Sequence, residues 1–221
     1  VVQIDRAEDY ADIDGDWTGG RRYYIQQDDK FGTLNSTLLE DMGEIDSGDP
    51  ATVADFTTWA ITTYPAEHYM LILWDHGGAW IGHASDDESG NDLDLLELAS
   101  ALEQTVQATG IGKFDVIAFD MCLMGQLEVL ETITPYADYG LASEESIPGP
   151  GYYYVFLEDL VNDPTMDGRT LATAVVDYYM QFYDEVAPDP DNYYGLTAVD
   201  LNQSGAMTAA IDAFSSAVQA N

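Results

Sequence analysis

An α/β fold with a mainly parallel sheet is what this sequence predicts. Three observations point there. Short apolar runs alternate with helical patterns along most of the chain. Two of those runs, "YMLILW" (69–74) and "FDVIAF" (114–119), are continuous rather than alternating, as expected of strands buried on both faces. A helical pattern of suitable length lies between them, and a strand, helix, strand unit crosses over right-handed with its strands parallel. At 221 residues and 46% hydrophobic content, the chain is long enough for one sizeable core.

The elements follow in order. Strands are expected at "VVQI" (1–4), "RYYIQ" (22–26), "YMLILW", "FDVIAF", "YGLAS" (139–143) and "GLTAVDL" (195–201). "DPATVADFTTWAITTY" (49–64) offers Asp49 as an N-cap and Pro50 at the first helical position. Apolar residues at three and four spacing predict helices in "LDLLELASALEQTVQAT" (93–109), "LMGQLEVLETI" (123–133) and "RTLATAVVDYYMQFY" (169–183). "PDPDNYYG" (188–195) reads as a surface loop.

Charge narrows the partners. Forty-one acidic residues against six Lys and Arg give a formal net charge of −35, which argues against nucleic acid and anionic membrane surfaces. With a normal apolar fraction, that imbalance describes a globular protein with a strongly solvated surface, suited to a salt-loving host, to calcium loading or to an acidic extracellular niche. No run of about 18 apolar residues is present, so no membrane span is expected in this segment. A secreted or cell-envelope location is expected; the opening "VVQIDR" carries no signal-like stretch, and its absence is uninformative because the start reads as cut away.

A single cysteine, Cys122, excludes an internal disulfide and any multi-cysteine zinc site. If the strands 69–74 and 114–119 are neighbours, the segments leaving their carboxyl ends, "DHGG" and "DMC", emerge side by side, where open α/β sheets place their ligands. His76 and Cys122 then meet. An imidazole beside a thiol can act as its general base, and a helix opening at Cys122 would favour the thiolate through its dipole. Gly77 allows a sharp turn, and the N–H groups of Gly77 and Cys122 are candidates to face a developing oxyanion. Against this stands the ordinary role of a lone cysteine as a small core residue.

Other motifs are weaker. His83 and His68 are expected at the surface. "DIDGDW" (12–17) resembles a calcium loop but misplaces its glycine and lacks the distal Glu. "DDESGNDLD" (86–94) reads as a solvated acidic loop before it reads as a cation site. No metal-ligand set is assigned from the sequence.

Several long motifs in order resemble one family. "DMGEIDSGDPATVADFTTWAITTYPAEHY", "YMLILWDHGGAW", "KFDVIAFDMCLMGQLEV" and "YADYGLASEESIPGPGYYY", with "RRYYI", are similar to the clostripain-like cysteine peptidases, relatives of caspases, gingipains and legumain. The likeness runs from residue 1 to about 200. It implies a caspase-like αβα sandwich and a single peptidase domain over 1–221, lacking the strand and helix with which family members usually begin. It further implies a His76/Cys122 dyad and an acyl-enzyme route to cleavage after Arg or Lys, with no cofactor in the chemistry. Calcium dependence is known among relatives. Substrates would be peptides or proteins with basic residues. Asp120, two residues before the nucleophile, takes the place that lines the family's specificity pocket, where a carboxylate pairs with a guanidinium; capping of a helix near Cys122 is its simpler role. "SEES" (143–146) matches a loop beside that pocket, which adds Glu144 and Glu145 as substrate-binding candidates. Self-processing after a basic residue between the dyad positions has only Lys113 available, against a predicted strand. The alternative function is a catalytically inactive caspase-like domain that binds peptides, partners or cations at the cell surface.

Overall fold

The computed structural model describes residues 1–8, 15–30, 33–188 and 193–220. Residues 12–14 of the calcium-like motif and 189–192 of the expected surface loop lie outside the described residues.

Two sheets are present among the described residues. Strands β1 (Val2–Arg6), β2 (Gly19–Tyr24) and β3 (Thr37–Gly43) form an antiparallel sheet in that order. The first two expected strands therefore stand apart from the parallel sheet. No helical pattern separates them, and parallel pairing needs a long crossover. β3 escapes a reading by periodicity, because its residues are nearly all exposed and its strand conformation comes from pairing with β2. Arg22, only 4% exposed, ties this sheet to the first helix through Gln3, Glu40 and Asp55, with its guanidinium 4.6 Å from the Trp59 ring.

The second sheet has the order β4 (Met70–Trp74), β5 (Phe114–Asp120), β6 (Ala137–Ala142), β7 (Thr197–Asp200), parallel except for the β7 edge. Its central strands send alternate side chains to two cores. Leu71, Ile117 and Phe119 join Leu98 and Leu102 of α2 (Leu95–Thr109) and Ile61 of α1 (Pro50–Thr63) on one face. Val116, Ala118 and Leu141 join Leu171, Val175 and Tyr179 of α5 (Gly168–Gln181) on the other. The large aliphatic side chains and Phe119 that are fully buried here are worth about 1.5–3 kcal/mol each. The result is the helix, sheet, helix layering that the continuous apolar runs predict.

Helix ends follow their caps. Asp49 accepts the Ala51 N–H with Pro50 at the start of α1. Asp94 and Glu97 form a capping box on α2, which Gly110 ends in left-handed conformation. Asp167 caps α5, which runs on into a π-helical turn over Phe182–Val186. α3 is shorter than expected, Leu127–Ile133. α4 (Phe156–Asn162) buries only Phe156, and α6 (Ser204–Gln219) buries no side chain; neither was signalled by a clean apolar stripe into a core.

Candidate active site

Parallel pairing of β4 with β5 sets Trp74 opposite Asp120. Two residues beyond that pair on each strand stand His76 and Cys122, so the sheet delivers both to the same carboxyl edge, with His76 exposed and Cys122 partly so. The backbones are in close approach. A Cβ placed on Gly77 would collide with the Cys122 carbonyl oxygen and lie 2.9 Å from Met121 Cβ. Gly77 is not among the residues of positive φ, so its role differs from the expected sharp turn: it makes room for the segment that carries Cys122. The left-handed turns nearby fall to Ala79 (φ 60°) and Ala84 (φ 54°).

Cys122 does not open a helix. α3 begins at Leu127, and Leu123 sits at φ 63°, which breaks any helical continuity. The expected dipole at the thiol is corrected accordingly. The segment that carries Cys122 is instead zipped to the loop after β6: the Leu123 N–H donates to Glu145 O (3.0 Å) and the Gly125 N–H to Ser143 O (2.7 Å). Cys122 Sγ accepts the Ile147 N–H at 3.3 Å and lies 3.8 Å from the Ile147 carbonyl. Glu144 and Glu145 are both exposed on this loop.

Asp120 ends β5 and is 3% exposed. It caps no helix, which corrects that simpler expectation. Both its oxygens accept the Tyr152 N–H at 3.0 Å, and Oδ2 accepts the Tyr154 hydroxyl at 3.0 Å. Tyr152 in turn donates its hydroxyl to Phe119 O, and Tyr183 donates to Gly151 O, so the segment 151–154 is fastened around the carboxylate. Gly151, at φ 68°, leaves that space open, since a Cβ there would lie 2.7 Å from Asp120 Oδ2. Burial raises the Asp120 pKa, and the Tyr152 N–H and Tyr154 hydroxyl offset this only in part. Among the described residues no cation pairs with it.

His83 departs most from expectation. It is 1% exposed, edge-on to the Phe119 ring, with both ring nitrogens lacking partners. Backbone bridges to Gly77 and Leu93 carry it inside. Its pKa is pushed down to about 4 by burial. Above the unfolded value of 6.5 the ring is neutral in both states and adds no pH dependence, and stability is lost as pH falls from about 6.5 towards 4, by about 3 kcal/mol. Urea midpoints at pH 7.5 and 4.5 should therefore diverge more for the wild type than for His83→Leu; equal divergence would rule out this titration.

His68, as expected, is exposed, bonded to Asp115 at 2.7 Å with its pKa raised by that partner. Lys113 binds the carbonyls of Thr134 and Ala137 at the foot of β5, an unsuitable position for cleavage. The loop 86–94 is more ordered than a solvated acidic run: Asp86 is buried and accepts the N–H groups of Ser47 and Ser89. Asp86 also lies with Asp5 and Glu44 in a carboxylate group whose oxygens fall within 4.8 Å of one another. Burial pushes the Asp5 pKa up to about 6.

A partly exposed thiol and an exposed histidine just beyond the carboxyl ends of adjacent parallel strands, beside a buried carboxylate that no cation pairs among the described residues, give this α/β protein the layout expected of a caspase-like hydrolase. Comparison with known proteins agrees. The clostripain family model matches residues 2–221, and the chain belongs to that family of cysteine peptidases. Clostripain of Hathewaya histolytica is 25% identical over 183 residues, covering 70% of this chain and 34% of that protein. A secreted C11 cysteine protease from Bacteroides thetaiotaomicron, solved with an irreversible peptide inhibitor, superposes with a TM-score of 0.67 at 23% identity, over 87% of this chain and 55% of that one. An inactive zymogen C11 protease from Parabacteroides distasonis gives 0.64 at 21% identity, over 86% and 50%. The caspase-like αβα sandwich is thus the fold. The chain spans about half the length of these solved relatives and about a third of clostripain. No helix among the described residues is long and apolar enough to cross a membrane.

Proposed function

We propose that this chain carries the catalytic site of a secreted or cell-envelope cysteine endopeptidase that cleaves after Arg or Lys. The observation that carries the reading is the arrival of His76 and Cys122 at one sheet edge beside the cation-free carboxylate of Asp120.

His76 takes the Cys122 proton, and the thiolate attacks the substrate carbonyl. Negative charge builds on the carbonyl oxygen, towards which the N–H groups of Gly77 and Cys122 are directed in this reading. His76 then protonates the leaving amine, and the carbon–nitrogen bond breaks to give a thioester. Water, deprotonated by His76, attacks the thioester, and Cys122 leaves as the thiol. Asp120 pairs with the guanidinium or ammonium of the residue on the acyl side, a contact strengthened by its burial. Glu144 and Glu145, exposed on the loop after β6, add negative potential that attracts basic substrates. Calcium has no part in these steps; a structural role for it would be tested at Asp5, Glu44 and Asp86.

An Arg-terminated fluorogenic peptide tests the reading. Turnover is expected from the wild type and none from Cys122→Ala, with an Ala-terminated peptide left uncut and an Arg chloromethyl ketone attached to Cys122 by mass. A folded protein that neither turns over nor labels would overturn it in favour of a catalytically inactive domain that binds peptides, partners or cations.

A further inference from the structure

Beyond His76 the chain forms a hydrogen-bonded turn. The Gly78 N–H donates to Gly82 O at 2.9 Å and the Ile81 N–H to Gly78 O at 3.2 Å, closing a tight turn. Its base is fixed to the core, because His83 pairs with both Gly77 and Leu93 and is itself buried. At its tip Trp80 is 66% exposed and Ile81 74% exposed. A lone exposed apolar residue needs no explanation, but two large neighbours on a fastened turn, a few residues from the candidate nucleophile's partner, form a surface that gains by being covered.

We propose that Trp80 and Ile81 form the wall that receives a large apolar side chain on the leaving side of the scissile bond. This inference rests on the peptidase reading. The sheet order fixes the side. Cys122 leaves β5, the middle of the three parallel strands. Asp120 is engaged by Tyr152 and Tyr154, which follow β6, so the acyl-side residue lies on the β6 flank. His76 and the turn 78–82 follow β4, on the opposite flank. The imidazole that hands a proton to the leaving amine must lie within hydrogen-bond reach of it. The residue carrying that amine therefore sits over His76 and against the adjoining turn. The tip offers it an indole and an aliphatic side chain and no charge. In a chain of net charge −35, an acidic residue at that position would also meet a repulsive field.

Quenched peptides that hold Arg on the acyl side and vary the next residue among Leu, Phe, Gly and Asp read this directly. Wild-type kcat/KM for Leu or Phe should exceed that for Gly by about tenfold, the scale of partly burying one large apolar side chain. In the Trp80→Ala/Ile81→Ala double variant the ratio should fall to near one, and Trp80→Phe should keep most of it. A wild-type ratio near one overturns the proposal. So does a double variant that slows every peptide by the same factor, since the ratio then survives. Failure of the wild type to cut any of the peptides overturns the peptidase reading itself, and is thereby distinct from a loss of preference alone.

Discussion

Gly77→Ala will lower kcat/KM by at least about 100-fold, the usual cost of displacing reacting groups by about 1 Å. The added Cβ falls on the carbonyl oxygen of Cys122 and stands 2.9 Å from Met121 Cβ and 3.1 Å from Met124 Cγ. Backbone strain at residue 77 is not the cause, because its φ is not positive. Space is the cause, and the atom in the way is backbone of the nucleophile segment. That segment cannot retreat freely: Met121 and Met124 are buried, and Leu123 and Gly125 are bonded to the loop at 143–145. Either the thiol moves or the His76 loop does. In the proposed mechanism, both changes open the gap across which the proton passes, and both displace the Gly77 N–H from the oxyanion. Overpacking of this kind also costs about 1–3 kcal/mol of stability, so thermal unfolding is measured beside the kinetics. Gly112→Ala is the matching control, with nothing within 4 Å of its new Cβ. Retention of activity within a few-fold in Gly77→Ala would show that the close approach is irrelevant to catalysis.

The part of this arrangement that could be read from sequence is the part set by local pattern. "YMLILW" and "FDVIAF" announce buried parallel strands because both of their faces are covered, and the intervening helix carries its own caps in Asp94, Glu97 and Gly110. Adjacent parallel strands then place His76 and Cys122 together without any knowledge of side-chain detail. What periodicity misread is the segment 122–126. Its apolar spacing looks helical, yet its N–H groups at Leu123 and Gly125 bond to Glu145 and Ser143, partners supplied by a distant loop. His83 was obscured in the same way. Its polar neighbours suggest a surface loop, whereas two backbone bridges to Gly77 and Leu93 turn its ring onto Phe119. The engagement of Asp120 by the Tyr152 N–H and Tyr154 hydroxyl likewise depends on a third segment. "GPGYYY" carries one clue, since Gly151 is the residue that leaves room for the carboxylate.

Asp120→Asn should separate substrate recognition from folding. Taking a carboxylate out of water costs free energy unless a cation or enough donors compensate, and here the Tyr152 N–H and Tyr154 hydroxyl compensate incompletely, which is why the pKa is raised. A carboxyl whose folded pKa is raised destabilises the fold as pH rises through the window between its unfolded and folded values. Above that window the native protein carries the full cost of the buried charge. Asparagine removes it while keeping an acceptor for the Tyr152 N–H and offering an N–H to the Tyr154 oxygen. The unfolding temperature should stay level or rise. On the proposed reading Arg peptides, by contrast, lose the partner for their guanidinium, and their kcat/KM should fall by about 100-fold or more, the scale of removing one member of a desolvated charge pair. Cys122 should remain reactive towards a small neutral alkylating agent, because the nucleophile's bonds to Ile147 do not involve Asp120. A variant that unfolds at much lower temperature would make Asp120 a structural residue. One that folds normally and still prefers Arg peptides over Ala peptides would move the specificity determinant elsewhere, with Glu144 and Glu145 the next carboxylates to replace.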